Sequence, residues 1–141
     1  MKFNFPLKVA IIDDEPDLID VYEFTAEQIK ELAPVSFSDP YKALAAIQEE
    51  RIPIVVTDIN MPSMKGDDLI KKCTHLEWSI DFIVTTGIVN MTTSYRCFRL
   101  GAVDVLMKPI NPHHLSASLE RVIDRYRRYN GTLENIIEKK K

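Results

Sequence analysis

Residues suited to phosphoryl or metal chemistry recur in one setting, at the end of a short apolar run. Asp13 and Asp14 follow Val9-Ala10-Ile11-Ile12, and Asp58 follows Ile54-Val55-Val56-Thr57. Thr86 closes the run that begins at Phe82, and Lys108 follows Val103 to Met107. Were the first and third of these runs neighbours, three carboxylates would crowd together. Two like charges about 4 Å apart repel by roughly 4 kcal/mol at an effective dielectric near 20. A hard divalent cation relieves that repulsion, and Mg²⁺ commonly takes one or two carboxylates, waters and phosphate oxygens. Lys108 adds a positive charge and Thr86 a hydroxyl donor. The set suits in-line phosphoryl transfer to a carboxylate. Asp58 would be the nucleophile, and the cation, Lys108 and Thr86 would spread the charge on the equatorial oxygens.

The stretch from Ile54 to Gly66 carries the argument furthest. An unbroken β-branched run reads as a strand buried on both faces, and Met61-Pro62-Ser63-Met64-Lys65-Gly66 is a punctuated loop. Asp58 then stands at a strand's carboxyl end, where open α/β sheets bind ligands. On this stretch alone a second reading stays open, that Asp58 only caps its loop.

The elements that must position these groups follow in order. Pro16 opens a helix with Leu18, Tyr22, Thr25, Ile29 and Leu32 inward, ended by Pro34. Val35 and Phe37 alternate with serines as a short edge strand. Asp39-Pro40 is a cap and first-turn pair opening a helix with Leu44 and Ile47 inward. Leu69, Ile70 and Cys73 mark the next helix. Met91, Tyr95 and Phe98 mark one beginning near Asn90, with at least one of the two aromatics expected in the core. Gly101 ends it. Asn111-Pro112 opens the last helix, with Leu115, Leu119, Val122 and Tyr126. Strand and helix alternate five times, which calls for a parallel sheet covered on both faces, with all strand ends at one edge.

A chain of 141 residues, 45% hydrophobic and 28% charged, has the size and composition of one globular domain. A net charge of −3 offers no global field for nucleic acid. No apolar run approaches bilayer length, and residues 1–6 lack a signal-peptide pattern. Cys73 and Cys97 fit neither a disulfide framework nor a zinc spacing, and the expected setting is reduced and cytoplasmic.

With these residues in hand, the chain resembles a receiver domain of a two-component response regulator, of the flavodoxin-like chemotaxis-regulator fold. The matching positions are Asp13-Asp14-Glu15, Asp58-x-Asn60-Met61-Pro62-x-Met64-x-Gly66, Thr86-Gly87, Gly101-Ala102-x-Asp104 and Lys108-Pro109. The resemblance covers residues 7–128 and leaves 129–141 as a C-terminal tail or the start of a linker. It implies a (βα)5 doubly wound sandwich with strand order 2-1-3-4-5. It also implies that Asp58 accepts phosphate from a phosphohistidine on a sensor histidine kinase or phosphotransfer protein. Asp14, Asp58 and the main-chain carbonyl of Asn60 would bind Mg²⁺ (or Mn²⁺), Asp13 would act through a metal-bound water, and Thr86 and Lys108 would contact the phosphoryl group. The Lys108–Pro109 bond is expected to be cis. The protein would then be a switch that assists its own phosphorylation and dephosphorylation, and not a turnover enzyme.

Val105 departs from the family, which typically has an aromatic ring there that turns inward on phosphorylation. A switch without it would run through the loop from Thr86 to Asn90 and its helix, and Ile88 and Asn60 would flank the water path that sets phosphate lifetime. Two other classes compete. A haloacid-dehalogenase-type phosphatase also forms an aspartyl phosphate, but it wants a second Asp at position 60 and its nucleophile near the first strand. A pseudo-receiver would bind partners without phosphate, against the complete acid, hydroxyl and lysine set. His113-His114 reads as a solvated first turn, and the arginines at 121, 125, 127 and 128 as a solvated helix end. Leu115, Leu119, Val122, Tyr126, Tyr129, Leu133 and Ile136 form a heptad seam that could support a homodimer. Asn130-Gly131 is a breaker pair that argues for a separate short tail helix.

Overall fold

The computed structural model describes residues 2–87 and 91–139. Its elements alternate strictly: β1 (Leu7–Ile12), α1 (Pro16–Glu27), β2 (Leu32–Phe37), α2 (Pro40–Glu50), β3 (Ile54–Asp58), α3 (Gly66–Cys73), β4 (Asp81–Thr86), α4 (Met91–Arg99), β5 (Ala102–Met107) and α5 (Pro112–Lys139). All strand pairs are parallel, in the order β2-β1-β3-β4-β5. This is the flavodoxin-like order, and it puts β1 beside β3.

The central strands are buried on both faces, which is why they read as continuous apolar runs. Alternate residues feed two cores. Ala10, Ile12, Val55 and Val84 pack with Ile47, Leu69 and Ile70 from α2 and α3. Val9, Ile11, Ile54, Val56 and Ile83 pack with Tyr22, Leu115, Leu119 and Ile123 from α1 and α5. Asp39 Oδ1 accepts from Tyr41 N, and Asn111 Oδ1 from His113 N, so both cap-and-proline devices work as expected. Gly101 takes φ +106°, a left-handed conformation in which a side chain would strain the backbone.

Four expectations need correction. α1 ends at Glu27, so Ile29 and Leu32 reach the core from the turn and from β2. Pro34 lies inside β2, tolerated because that strand is an edge. Tyr95 and Phe98 are 61% and 66% exposed, and Cys97 is the buried residue of α4. Their spacing marks the outer side of that helix, since the same period describes either face. Finally, α5 runs unbroken through Asn130-Gly131. Asn130 is buried, its side chain accepting from Phe3 N and donating to Phe3 O, both at 2.9 Å. The ring of Phe3 packs edge-on against Tyr126 and Tyr129. Those contacts outweigh a glycine penalty of about 1 kcal/mol.

Candidate functional site

Register determines the site. Ile12 pairs with Thr57 across β1 and β3, and Asp58 pairs with Thr85 across β3 and β4. Asp13 and Asp58 therefore leave adjacent strands at the same level. Both are buried, while Asp14 is exposed. One carboxylate oxygen from each of the three lies within 4.8 Å of the others. The backbone fixes their aim: Asp13 Oδ1 accepts from Glu15 N at 2.9 Å, and Asp58 Oδ1 accepts from Asn60 N at 3.1 Å. Those hydrogen bonds turn each second oxygen inward.

Lys108 enters from the end of β5. Its amide donates to Thr86 O at 2.7 Å, which ties the two strand exits together. Its Nζ donates to Asp58 Oδ2 at 3.1 Å and stands 3.0 Å from Asp13 Oδ2. The second contact is an ion pair without the alignment of a hydrogen bond, so Asp13 Oδ2 is buried with its lone pairs incompletely used. Burial raises the Asp13 carboxyl above its ordinary value, more than the Glu15 amide and Lys108 lower it. Burial pushes Lys108 down, but bonding to Asp13 and Asp58 outweighs it and leaves its pKa raised. The ammonium stays charged, and the pocket still holds more negative than positive charge.

The acidic, hydroxyl and lysine groups singled out from the sequence are thus gathered at one edge. Thr86 is buried at the exit of β4, and Asn60 is exposed in the loop that leaves β3. The Lys108–Pro109 bond is cis, as is Phe5–Pro6. Gly66 is needed by contact: a Cβ there would lie 2.8 Å from Asp58 O and 2.9 Å from the Ile59 Cα. Of the loop 86–90 assigned to the switch, residues 88–90 lie outside the described residues, and with them Ile88, which was expected to flank the water path beside Asn60. Tyr22 had been read only as a helical core position. Its hydroxyl is buried without a hydrogen-bond partner among the described residues. Burial pushes it up to about 12, and the charges of Lys108, Asp13 and Asp58 act on it.

Other charged features have structural uses. Each arginine of the α5 cluster meets an acid: Arg121 with Asp104, Arg125 with Asp81, Arg127 with Glu31 and Glu120, and Arg128 with Asp124. Arg121, Arg125 and Arg128 remain largely exposed, as a solvated helix end requires, and their charges are also met by acids of the protein. His113 and His114 are exposed in the first turn of α5. Cys73 and Cys97 are free and buried, and burial lifts both thiols to about 11.

Comparison with known proteins agrees with this geometry. Residues 9–120 match the family model of the response regulator receiver domain, and the chain belongs to that family. It is therefore a receiver domain of a two-component response regulator. Among curated relatives, the transcriptional regulatory protein FlgR of Helicobacter pylori is 35% identical over 115 residues, covering 82% of this chain and 29% of that protein. The response regulator SaeR of Staphylococcus aureus is 28% identical over 124 residues, covering 86% of this chain and 53% of that one. The chain thus spans about half or less of the length of these relatives. A CheY-like receiver domain protein from Methanospirillum hungatei superposes with a TM-score of 0.76 at 25% identity, over 87% of this chain and 98% of that one. A receiver domain from Clostridium thermocellum gives 0.77 at 24%, over 86% and 97%.

Receiver domains bind Mg²⁺ at an acidic pocket, and the cluster here fits that ion. Its donors are hard oxygens, and the inward-facing buried Oδ2 of Asp13, beside the Lys108 ammonium, has no aligned hydrogen-bond donor among the described residues.

Proposed function

We propose that this receiver takes a phosphoryl group onto Asp58 in a Mg²⁺-dependent reaction, from a phosphohistidine of a sensor histidine kinase or phosphotransfer protein. The observation that carries the reading is the contact of Lys108 Nζ with both Asp13 and Asp58 at the strand exits. A carboxylate oxygen of Asp58 attacks phosphorus, the P–N bond breaks, and its electron pair returns to the imidazole ring. The carboxylate is already ionised, so no general base is required. Lys108 follows the charge as it moves from the Asp58 carboxylate to the phosphoryl oxygens, and Thr86 donates its hydroxyl to one of them. Asp13, Asp14, Asp58 and the Asn60 carbonyl would hold Mg²⁺, which when bound supplies positive charge to the phosphoryl oxygens. The aspartyl phosphate then changes the domain's shape to control a partner or output module, and water returns it to the free acid. On this reading the chain is a phosphoacceptor switch and not a turnover enzyme.

The buried reduced thiols support a reducing, cytoplasmic setting. Among the described residues no helix is long and apolar enough to cross a membrane. Acidic partners on every arginine of the α5 cluster count against direct nucleic-acid binding. A homodimer through the last helix would rely on Leu133, Ile136 and Ile137, because Leu115, Leu119 and Val122 serve the core and Phe3 covers Tyr126 and Tyr129. Light scattering of the full chain reads this directly, and a monomer mass removes it.

Mass spectrometry after acetyl phosphate and Mg²⁺ tests the main reading. Wild type gains one phosphoryl group, and Asp58→Asn gains none. Continuous release of phosphate without a long-lived adduct would point to a phosphatase. No adduct and no turnover would point to a phosphate-independent binding module.

A further inference from the structure

The geometry points to Asp67 and Arg96 as the relay that reports the state of Asp58 to α4, an inference that rests on the phosphoacceptor reading above. α3 begins hard against the acceptor: Gly66 N donates to Ile59 O at 2.8 Å, and Gly66 has no room for a Cβ against the Asp58 carbonyl. A shift of the Asp58 backbone therefore moves the first turn of α3 with little slack between them.

Asp67 is the next residue. Its side chain is 3% exposed, and its Oδ2 accepts from Arg96 Nη1 of α4 at 2.9 Å. Its Oδ1 is buried with no hydrogen-bond partner among the described residues. A carboxylate buried in this way is costly unless well paired. Leu69 and Ile70, on the same helix, fill their buried positions with hydrocarbon. The ion pair uses one point of contact, while a guanidinium and a carboxylate can match at two. The contact thus has a second, tighter arrangement available. Engaging Oδ1 would draw α4 toward α3.

α4 is easily drawn. Cys97 is its buried residue, and Met91, Tyr95 and Phe98 face outward. A helix so lightly packed can serve as a two-state element, and the half-exposed Arg96 guanidinium on the buried Asp67 carboxylate is a contact that ties it to α3. Val105, beneath it on β5, has no ring to turn.

Hydrogen exchange of α4, with and without beryllofluoride and Mg²⁺, tests the relay in Arg96→Gln and in the Asp67→Leu/Arg96→Gln double variant. The double variant removes the buried charge together with its partner, so it remains folded even where the single variant is destabilised. Both variants should label at Asp58 with acetyl phosphate as wild type does. The beryllofluoride-induced change in exchange across residues 91–100 should fall about fivefold or more, and Arg96→Lys should restore part of it. A double variant that labels and keeps the full change at α4 overturns the relay, as does a labelled wild type with an unresponsive α4. A wild type that does not label sinks the phosphoacceptor reading, and the relay with it.

Discussion

The two edges of the sheet bury carboxylates under opposite rules. At the exit edge Asp13, Asp14 and Asp58 converge, and one ammonium, Lys108, faces Asp13 and Asp58 together. At the entry edge each buried acid faces a guanidinium: Asp81 meets Arg125 at 2.9 Å, and Glu31 meets Arg127, which also reaches Glu120. An edge balanced charge for charge stabilises the fold and leaves nothing over for chemistry. An edge left with surplus negative charge holds the fold at a cost; on the function proposed above, that surplus would attract a cation, whose charge would then receive the phosphoryl oxygens.

The sharpest way to break this contrast is Lys108→Ala. Removing the partner of a buried charge pair typically costs about 3 kcal/mol or more. Urea unfolding in EDTA should show a loss of that order, and millimolar Mg²⁺ should recover part of it. Failure of Mg²⁺ to help would mean that the exit edge has no call for a second cation.

Removing one acid at each edge should give opposite signs. In metal-free buffer Asp13→Asn should raise stability by about 1 kcal/mol, because the Asp13 charge is penalised by burial more than the Glu15 amide and Lys108 favour it, while weakening Mg²⁺ binding measured by calorimetry. Asp81→Asn should lower stability by about 1 kcal/mol, a modest figure because Arg125 is largely exposed. Equal signs would erase the distinction between the edges. Asn130→Ala strips both hydrogen bonds to Phe3 and should cost about 1 kcal/mol. Circular dichroism should also show fraying of the far part of α5.

The smallest effect is in the pH dependence, and it also runs in opposite directions. Glu31 is held below its ordinary value of 4.5, first by its hydrogen bond from Arg127. The folded state binds its proton less readily than the unfolded state, so the contribution is present above 4.5 and is lost as pH falls through the lowered value. Asp13 is raised above its ordinary 3.8, chiefly by burial. Its ionisation costs stability as pH rises from 3.8 through the raised value. Acid-limb titrations of Glu31→Gln and Asp13→Asn without metal should depart from wild type in opposite senses.

Much of this was legible in the sequence because the signals are local. β-branched runs mark strands buried on both faces, Asp39-Pro40 and Asn111-Pro112 mark helix starts, and parallel topology then forces the exits together. The misses are non-local. Asn130-Gly131 looks like a break until Phe3, distant in sequence, satisfies the Asn130 amide twice. Tyr95 and Phe98 keep helical period on the outer face, and period does not say which side meets the sheet. Asp67 reads as one acid in a polar first turn. Only the packing of α3 against α4 reveals that it is buried and that its partner is Arg96.

The grip of Asn130 on Phe3, with Lys2 Nζ 2.5 Å from Glu134 Oε1, makes the polypeptide almost a loop. Its opening residues and its final helix are fastened side by side at the entry edge, opposite Asp58. A circular permutant that joins these segments through a short flexible bridge, and is cut instead in the exposed turn around Thr74 and His75, would preserve all four parallel strand pairings and the acidic cluster.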